Sequence, residues 1–170
     1  MIDIQLDDRQ VREALQRLQQ RLSDMTPVMR AIATALEAGV EKRFETATDP
    51  AGRPWKPLAA STLSAWLDRG KGNRKKDGIL TQRGRERLAS RRPLYDTGDL
   101  LGSLTSSASR SQARVGFGVP YAAYHEFGTK RMPRRGLLMA DPQARTLGEA
   151  DRREVLAIIR EALQDAARGG

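Results

Sequence analysis

Apolar positions in the first quarter of the chain recur at helical spacing. Val11, Leu15, Leu18 and Leu22 follow one another at three- and four-residue steps, which predicts an amphipathic helix over about residues 8 to 25. "MTP" punctuates it, with Thr26 placed to cap a second helix and Pro27 at its first position. Met29, Ile32, Ala33, Leu36, Val40 and Phe44 form the apolar stripe of that helix. "DPAGRPWKPL", residues 49 to 58, breaks regular structure with three prolines and a glycine, and Trp55 is expected to pin this stiff loop to the core. "STLSAWLDRG" then reads as a short helix with Ser61 as its cap. Further on, "LTSSASRSQARVGFGV" reads as two short strands joined near Arg110 to Gln112, with Val115, Phe117 and Val119 alternating. "YAAYHEFG" follows Pro120 and reads as a helical turn or two closed by Gly128. Leu137, Leu138 and Met139 lie between prolines as a candidate buried edge strand. Val155, Leu156, Ile159 and Leu163 predict a closing helix from about Leu147 to Ala167.

Composition adds charge to this outline. The 170 residues suit one domain, and the net charge of +9 is concentrated between Arg69 and Arg92, where ten basic residues face only Asp77 and Glu86. Self-repulsion within that block predicts a mobile basic loop at about 69–92, drawn towards phosphate or an acidic partner. Aromatics are 5% of the chain, so the core is expected to be aliphatic. The absence of cysteine removes disulfides, thiolate metal sites and thiol nucleophiles. No run approaches the roughly 18 apolar residues of a membrane span, and "MIDIQLDD" lacks the basic start and apolar block of a secretion leader. A soluble chain with no membrane partner is therefore expected.

Chemistry has few candidates. His125 stands beside Glu126, but position 129 is Thr and there is no second histidine, so the zinc-protease helix is missing and no metal or cofactor is expected. No serine sits in a nucleophile-elbow context, and His125 reads as a packed residue. Asp96-Thr97-Gly98 matches the tripeptide of aspartic proteases, which would require a homodimer to bring two such loops together. Asp99 would add a charge beside that dyad, which favours the reading of a turn capping the segment with Leu100, Leu101 and Leu104. "GKGNRKK" and "GFG" lack the context of phosphate-binding loops. Non-specific nucleic-acid binding stays open through the basic block, although no interleaved aromatics are present to stack on bases.

Three islands in this order resemble one family. "RFETATDPAGRPWKPLAASTL" is similar to a pattern of helix end, Pro-x-Gly-x-x-Trp-x-Pro-Leu and Thr-Leu; "LYDTGDLLGSL" to Thr-Gly-x-Leu-x-x-Ser; and "YAAYHEFG", with the proline-and-arginine turn after it, to Tyr-Ala-x-x-His-x-Phe-Gly. The family is that of the phage virion morphogenesis, or tail completion, proteins of Mu-like and related tailed phages and of phage-derived tail particles. The 69–92 segment is longer and more basic than the family's connector, and Glu126 and "KRMPRRGLL" replace the commoner Gln and Pro-Ala-Arg-Pro-Phe.

The resemblance implies a non-enzymatic structural protein of tail completion or head–tail joining, made in the host cytoplasm and acting in the virion neck or at the head-proximal tail end. It also implies a homo-oligomeric ring around the DNA channel, with neighbouring tail, neck or connector proteins as partners and non-specific contact with DNA. Together with the element order it gives a single α+β domain over 1–170: amino-terminal helices, a small mainly antiparallel sheet and a carboxy-terminal helix. The residues expected to make partner or DNA contacts are Arg74, Lys75, Lys76, Arg83, Arg85 and Arg87 in the basic block, and Lys130, Arg131, Arg134 and Arg135 in the turn. Tyr121, Tyr124, Phe127, Trp55 and Leu100 are expected in the core. A non-specific nucleic-acid-binding module and a dimeric aspartic protease using Asp96 are the alternatives.

Overall fold

A computed structural model describes residues 8–168, so the amino-terminal stretch in which no leader was read falls largely outside it. Helix α1 (Arg9–Gln19) begins where the Asp8 carboxylate accepts from Val11 N at 3.4 Å. It ends earlier than its periodicity suggested, and Met25 packs beyond it as part of the irregular link. Helix α2 (Thr26–Thr46) carries Pro27 in its first turn. Its amino-terminal bond comes from Asp24, whose carboxylate accepts from Thr26 N at 2.9 Å, so Asp24 does the work assigned to Thr26. Ala47 closes α2 in the left-handed region, at φ 54°.

Helix α3 (Ala60–Asp68) starts after Ala59 with no side-chain cap, which corrects the role given to Ser61. Helix α4 (Gln82–Ala89) lies inside the basic block, where the sequence predicted a loop. Thr81 Oγ1 caps it by accepting from Gly84 N at 3.0 Å. Local bonding outweighs charge repulsion here: Asn73 is buried with its side-chain amide donating to Leu67 O at 2.7 Å, and Thr81 N donates to Asn73 O at 3.0 Å. Arg87 and Arg91 lie over the Trp66 ring at 4.5 and 4.9 Å, which turns two of the repelling cations into packing contacts.

The four-residue α5 (Asp99–Gly102) leads into β1 (Leu104–Ala108), which pairs antiparallel with β2 (Ala113–Phe117) in the register Leu104 opposite Phe117 and Ala108 opposite Ala113. Helices α6 (Ala122–Phe127) and α7 (Glu149–Arg168) complete an α+β architecture of amino-terminal helices, a two-stranded antiparallel sheet and a carboxy-terminal helix. Helix α2 is its spine. Its first half packs with α1 and α7 in one apolar cluster around Leu18, Met29, Ile32, Val155 and Ile159. Its second half packs in another around Val40, Phe44, Trp55, Leu100, Phe117 and Leu137. Trp55 stands edge-on to Phe44 with centroids 5.3 Å apart, which places both Trp55 and Leu100 in the core as expected.

Between the two clusters Arg43 of α2 pairs with Asp151 of α7 and donates to Leu137 O at 2.9 Å. Burial pushes the Asp151 carboxyl up, and Arg43 opposes that shift. Gly39 makes the approach possible, because a Cβ there would sit 2.8 Å from Asp151 Oδ1.

The folding of the basic block is open to test. A Cβ on Gly84 would sit 2.1 Å from the backbone oxygen of Asn73, so Gly84→Ala must push α4 off the 73–81 turn. The expected cost is about 1–3 kcal/mol. Amide hydrogen exchange should quicken at Thr81 and Arg85 and leave α2 and α7 unchanged; unaltered protection in α4 would contradict this packing.

Candidate interaction surface

Pro120 fixes the entry to α6, and the helix turns Ala122 and Glu126, four residues apart, inward. The Glu126 side chain is 1% exposed. Its carboxylate accepts from Leu137 N at 2.6 Å, Leu138 N at 2.8 Å and Met139 N at 3.2 Å, and pairs with Arg134 Nη2 at 3.1 Å. Leu137 and Met139 are buried and Leu138 is half-buried, but residues 137–139 form no strand: one carboxylate takes three consecutive N–H groups that strands on either side would otherwise have shared. Gly128, at φ 75°, makes the turn back, where a Cβ would sit 2.9 Å from Arg134 N.

The same turn decides the arginines. Arg134 Nε donates to Glu126 O at 2.7 Å, and Arg135, 4% exposed, donates to Lys56 O at 2.7 Å and Pro57 O at 2.9 Å. Both guanidiniums thus make hydrogen bonds inside the chain, where the sequence predicts contacts from Arg134 and Arg135 to a neighbour; Arg135 also lines the groove described below. Lys130 and Arg131 remain exposed at the Thr129–Met132 turn. In the basic block Lys75, Lys76, Arg83 and Arg85 are exposed, Arg74 folds back on Asp68 and Ser64, and Arg87 stacks on Trp66.

The aromatics of α6 go the other way. Tyr121, Tyr124 and Phe127 are 39%, 59% and 50% exposed, which corrects their placement in the core. With Ala122 and Glu126 facing inward, the aromatics three residues apart fall on the outer side of a six-residue helix.

The three sequence islands converge in space. Leu58 and Thr62 of the first, Asp96 and Leu100 of the second, and Tyr121, His125, Met132 and Arg135 of the third line one groove of about 320 Å³. Trp55 Nε1 donates to Gly136 O at 3.0 Å and joins the first island to the third. Asp96 forms an ion pair with Arg91 at 3.1 Å, and Thr97 Oγ1 donates to the Asp99 carboxylate at 2.6 Å while accepting from Asp99 N. The DTG segment is thus a turn leading into α5, with Asp96 facing a cation where a protease would set a second carboxylate. His125 Nδ1 is buried without a hydrogen bond, and burial, then Arg135, hold its imidazole below the ordinary pKa of 6.5. Among the described residues no three His, Asp or Glu side chains are grouped to hold a metal, and no helix is long and apolar enough to cross a membrane.

A profile of the phage virion morphogenesis family matches residues 6–164. The chain is 31% identical over 151 residues to Mu-like prophage FluMu G protein 2 of Haemophilus influenzae, an alignment covering 84% of this chain and 87% of that protein. No solved structure matches it.

Two measurements probe this geometry. Glu126→Ala leaves the N–H groups of Leu137, Leu138 and Met139 without their acceptor and the Arg134 charge without its carboxylate, and should cost about 3–5 kcal/mol in chemical denaturation. Glu126→Gln keeps one carbonyl acceptor and should cost clearly less; equal losses would remove the carboxylate from its central place. For His125 the folded state resists protonation, so its contribution to stability is complete above the ordinary imidazole value and is lost as pH falls through it. Denaturation midpoints at about pH 7.5 and about pH 5.5 should differ more for the native chain than for His125→Gln.

Proposed function

This chain belongs to the phage virion morphogenesis family, and from that premise we propose that it is a structural, non-catalytic component of tail completion or head–tail joining. It works as a homo-oligomeric ring at the neck or head-proximal tail end, around the DNA channel. The observation that carries this reading is the convergence of the three family-like islands on one surface, where they line a half-open groove. The exposed aromatic side of α6 and the exposed Lys130 and Arg131 lie in or beside that groove and supply contacts for a neighbouring subunit or an adjoining tail protein.

A second reading, non-specific nucleic-acid binding, is favoured by the exposed Lys75, Lys76, Arg83 and Arg85 of the basic block. In a ring these cations add up around the lumen, so contact with channel DNA belongs to the first reading as well. Tight DNA binding by the monomer with a steep salt slope would favour the second reading alone.

Removing the gene from its phage or tail particle should leave tails unfinished or unjoined to heads in electron micrographs. A plasmid copy should restore them, and a copy carrying Lys130→Glu and Arg131→Glu should not, although its denaturation midpoint stays unchanged. Normal, joined particles without the gene would overturn the reading.

A further inference from the structure

The groove at the meeting of the three islands has an unbalanced charge. Arg91, Arg131 and Arg135 line it against the single carboxylate of Asp96, which is already shared with Arg91. Arg135 is almost fully buried, and its Nε and Nη2 donate to two backbone carbonyls, which use two of its five N–H groups and leave its charge uncompensated. A buried guanidinium without a counter-charge is costly, so the site attracts an anion. Its other walls are apolar, formed by Leu58, Leu94, Leu100 and Pro133, and Tyr121 at its edge continues into Tyr124 and Phe127 along α6.

We propose that this groove seats an acidic segment of a partner protein, with a carboxylate facing Arg135 and Arg131 and apolar side chains against Leu94, Leu100 and Tyr121. A free phosphate or a DNA backbone would leave the apolar walls of this groove, about 320 Å³ in volume, unfilled. The proposal rests on the assembly role above and adds to it the chemistry of the partner. His125 lies in the same lining and faces Arg91, Asp96, Tyr121, Arg131 and Arg135 there. As the one histidine of the chain it gives a single, assignable imidazole signal.

The test titrates the full-length protein with an end-blocked tetrapeptide alternating aspartate and leucine, following His125 by NMR. Its asparagine analogue, inorganic phosphate and a short DNA duplex are the comparators. The aspartate peptide should bind saturably and raise the His125 pKa, because a carboxylate beside the ring favours the imidazolium. The asparagine analogue and the Arg131→Glu protein should each bind at least about tenfold more weakly. Asp96→Asn, which frees Arg91, should bind more tightly. Equal binding of the asparagine analogue, the same His125 shift from phosphate or DNA at equal concentration, or no shift at all would overturn the proposal. If the peptide fails while loss of the gene still stops assembly, the groove assignment falls and the assembly role stands.

Discussion

Three consecutive backbone N–H groups, those of Leu137, Leu138 and Met139, end on the carboxylate of Glu126. Away from water each would cost free energy if unpaired, and a sheet would normally satisfy them one strand at a time. Here a single side chain on a short helix replaces a strand edge, and Arg134 balances its charge. The consequence reaches well beyond α6. With 137–139 held in place, Leu137 O is set for Arg43, Gly136 O for Trp55 Nε1, and Arg135 for the carbonyls of Lys56 and Pro57. The proline-rich loop, the spine helix and the turn after α6 are therefore positioned by one carboxylate.

The same network redistributes a large positive charge. A net charge of +9 suggests a uniformly cationic surface, but several of its arginines are used within the fold. Arg43 joins the two halves of the core through Asp151, Arg87 and Arg91 cover Trp66, and Arg152 ties Asp8 to α7 at 2.7 Å. The net excess lies mostly in residues 69–92, and Lys130 and Arg131 are exposed as well at the 129–132 turn. A chain with few aromatics also leaves three of them on the outer side of α6, beside a groove that holds more positive than negative charge.

Local pattern determined a good part of this protein. The two amino-terminal helices, the hairpin joined at Arg110 to Gln112 and the closing helix follow from periods of 3.6 and 2, which neighbouring residues impose on one another. Gly128 after α6 and the burial of Trp55 were legible for similar reasons, since turn chemistry and aromatic size act at short range. The family likeness was legible too, because its islands are contiguous stretches.

Tertiary structure alone decided the partners of the polar side chains. Glu126 meets N–H groups 11 to 13 residues away, and Arg135 meets carbonyls nearly 80 residues away. No periodicity encodes such distances. The basic block looked unfolded because its charges repel, yet Asn73, Thr81 and the Trp66 ring, all uncharged, hold it in place. Residues 137–139 looked like a strand because apolar runs are buried in either form, and only the position of a carboxylate distinguishes them. The groove itself exists only once three stretches far apart in sequence have been brought together, which is a property of the packed chain rather than of any segment of it.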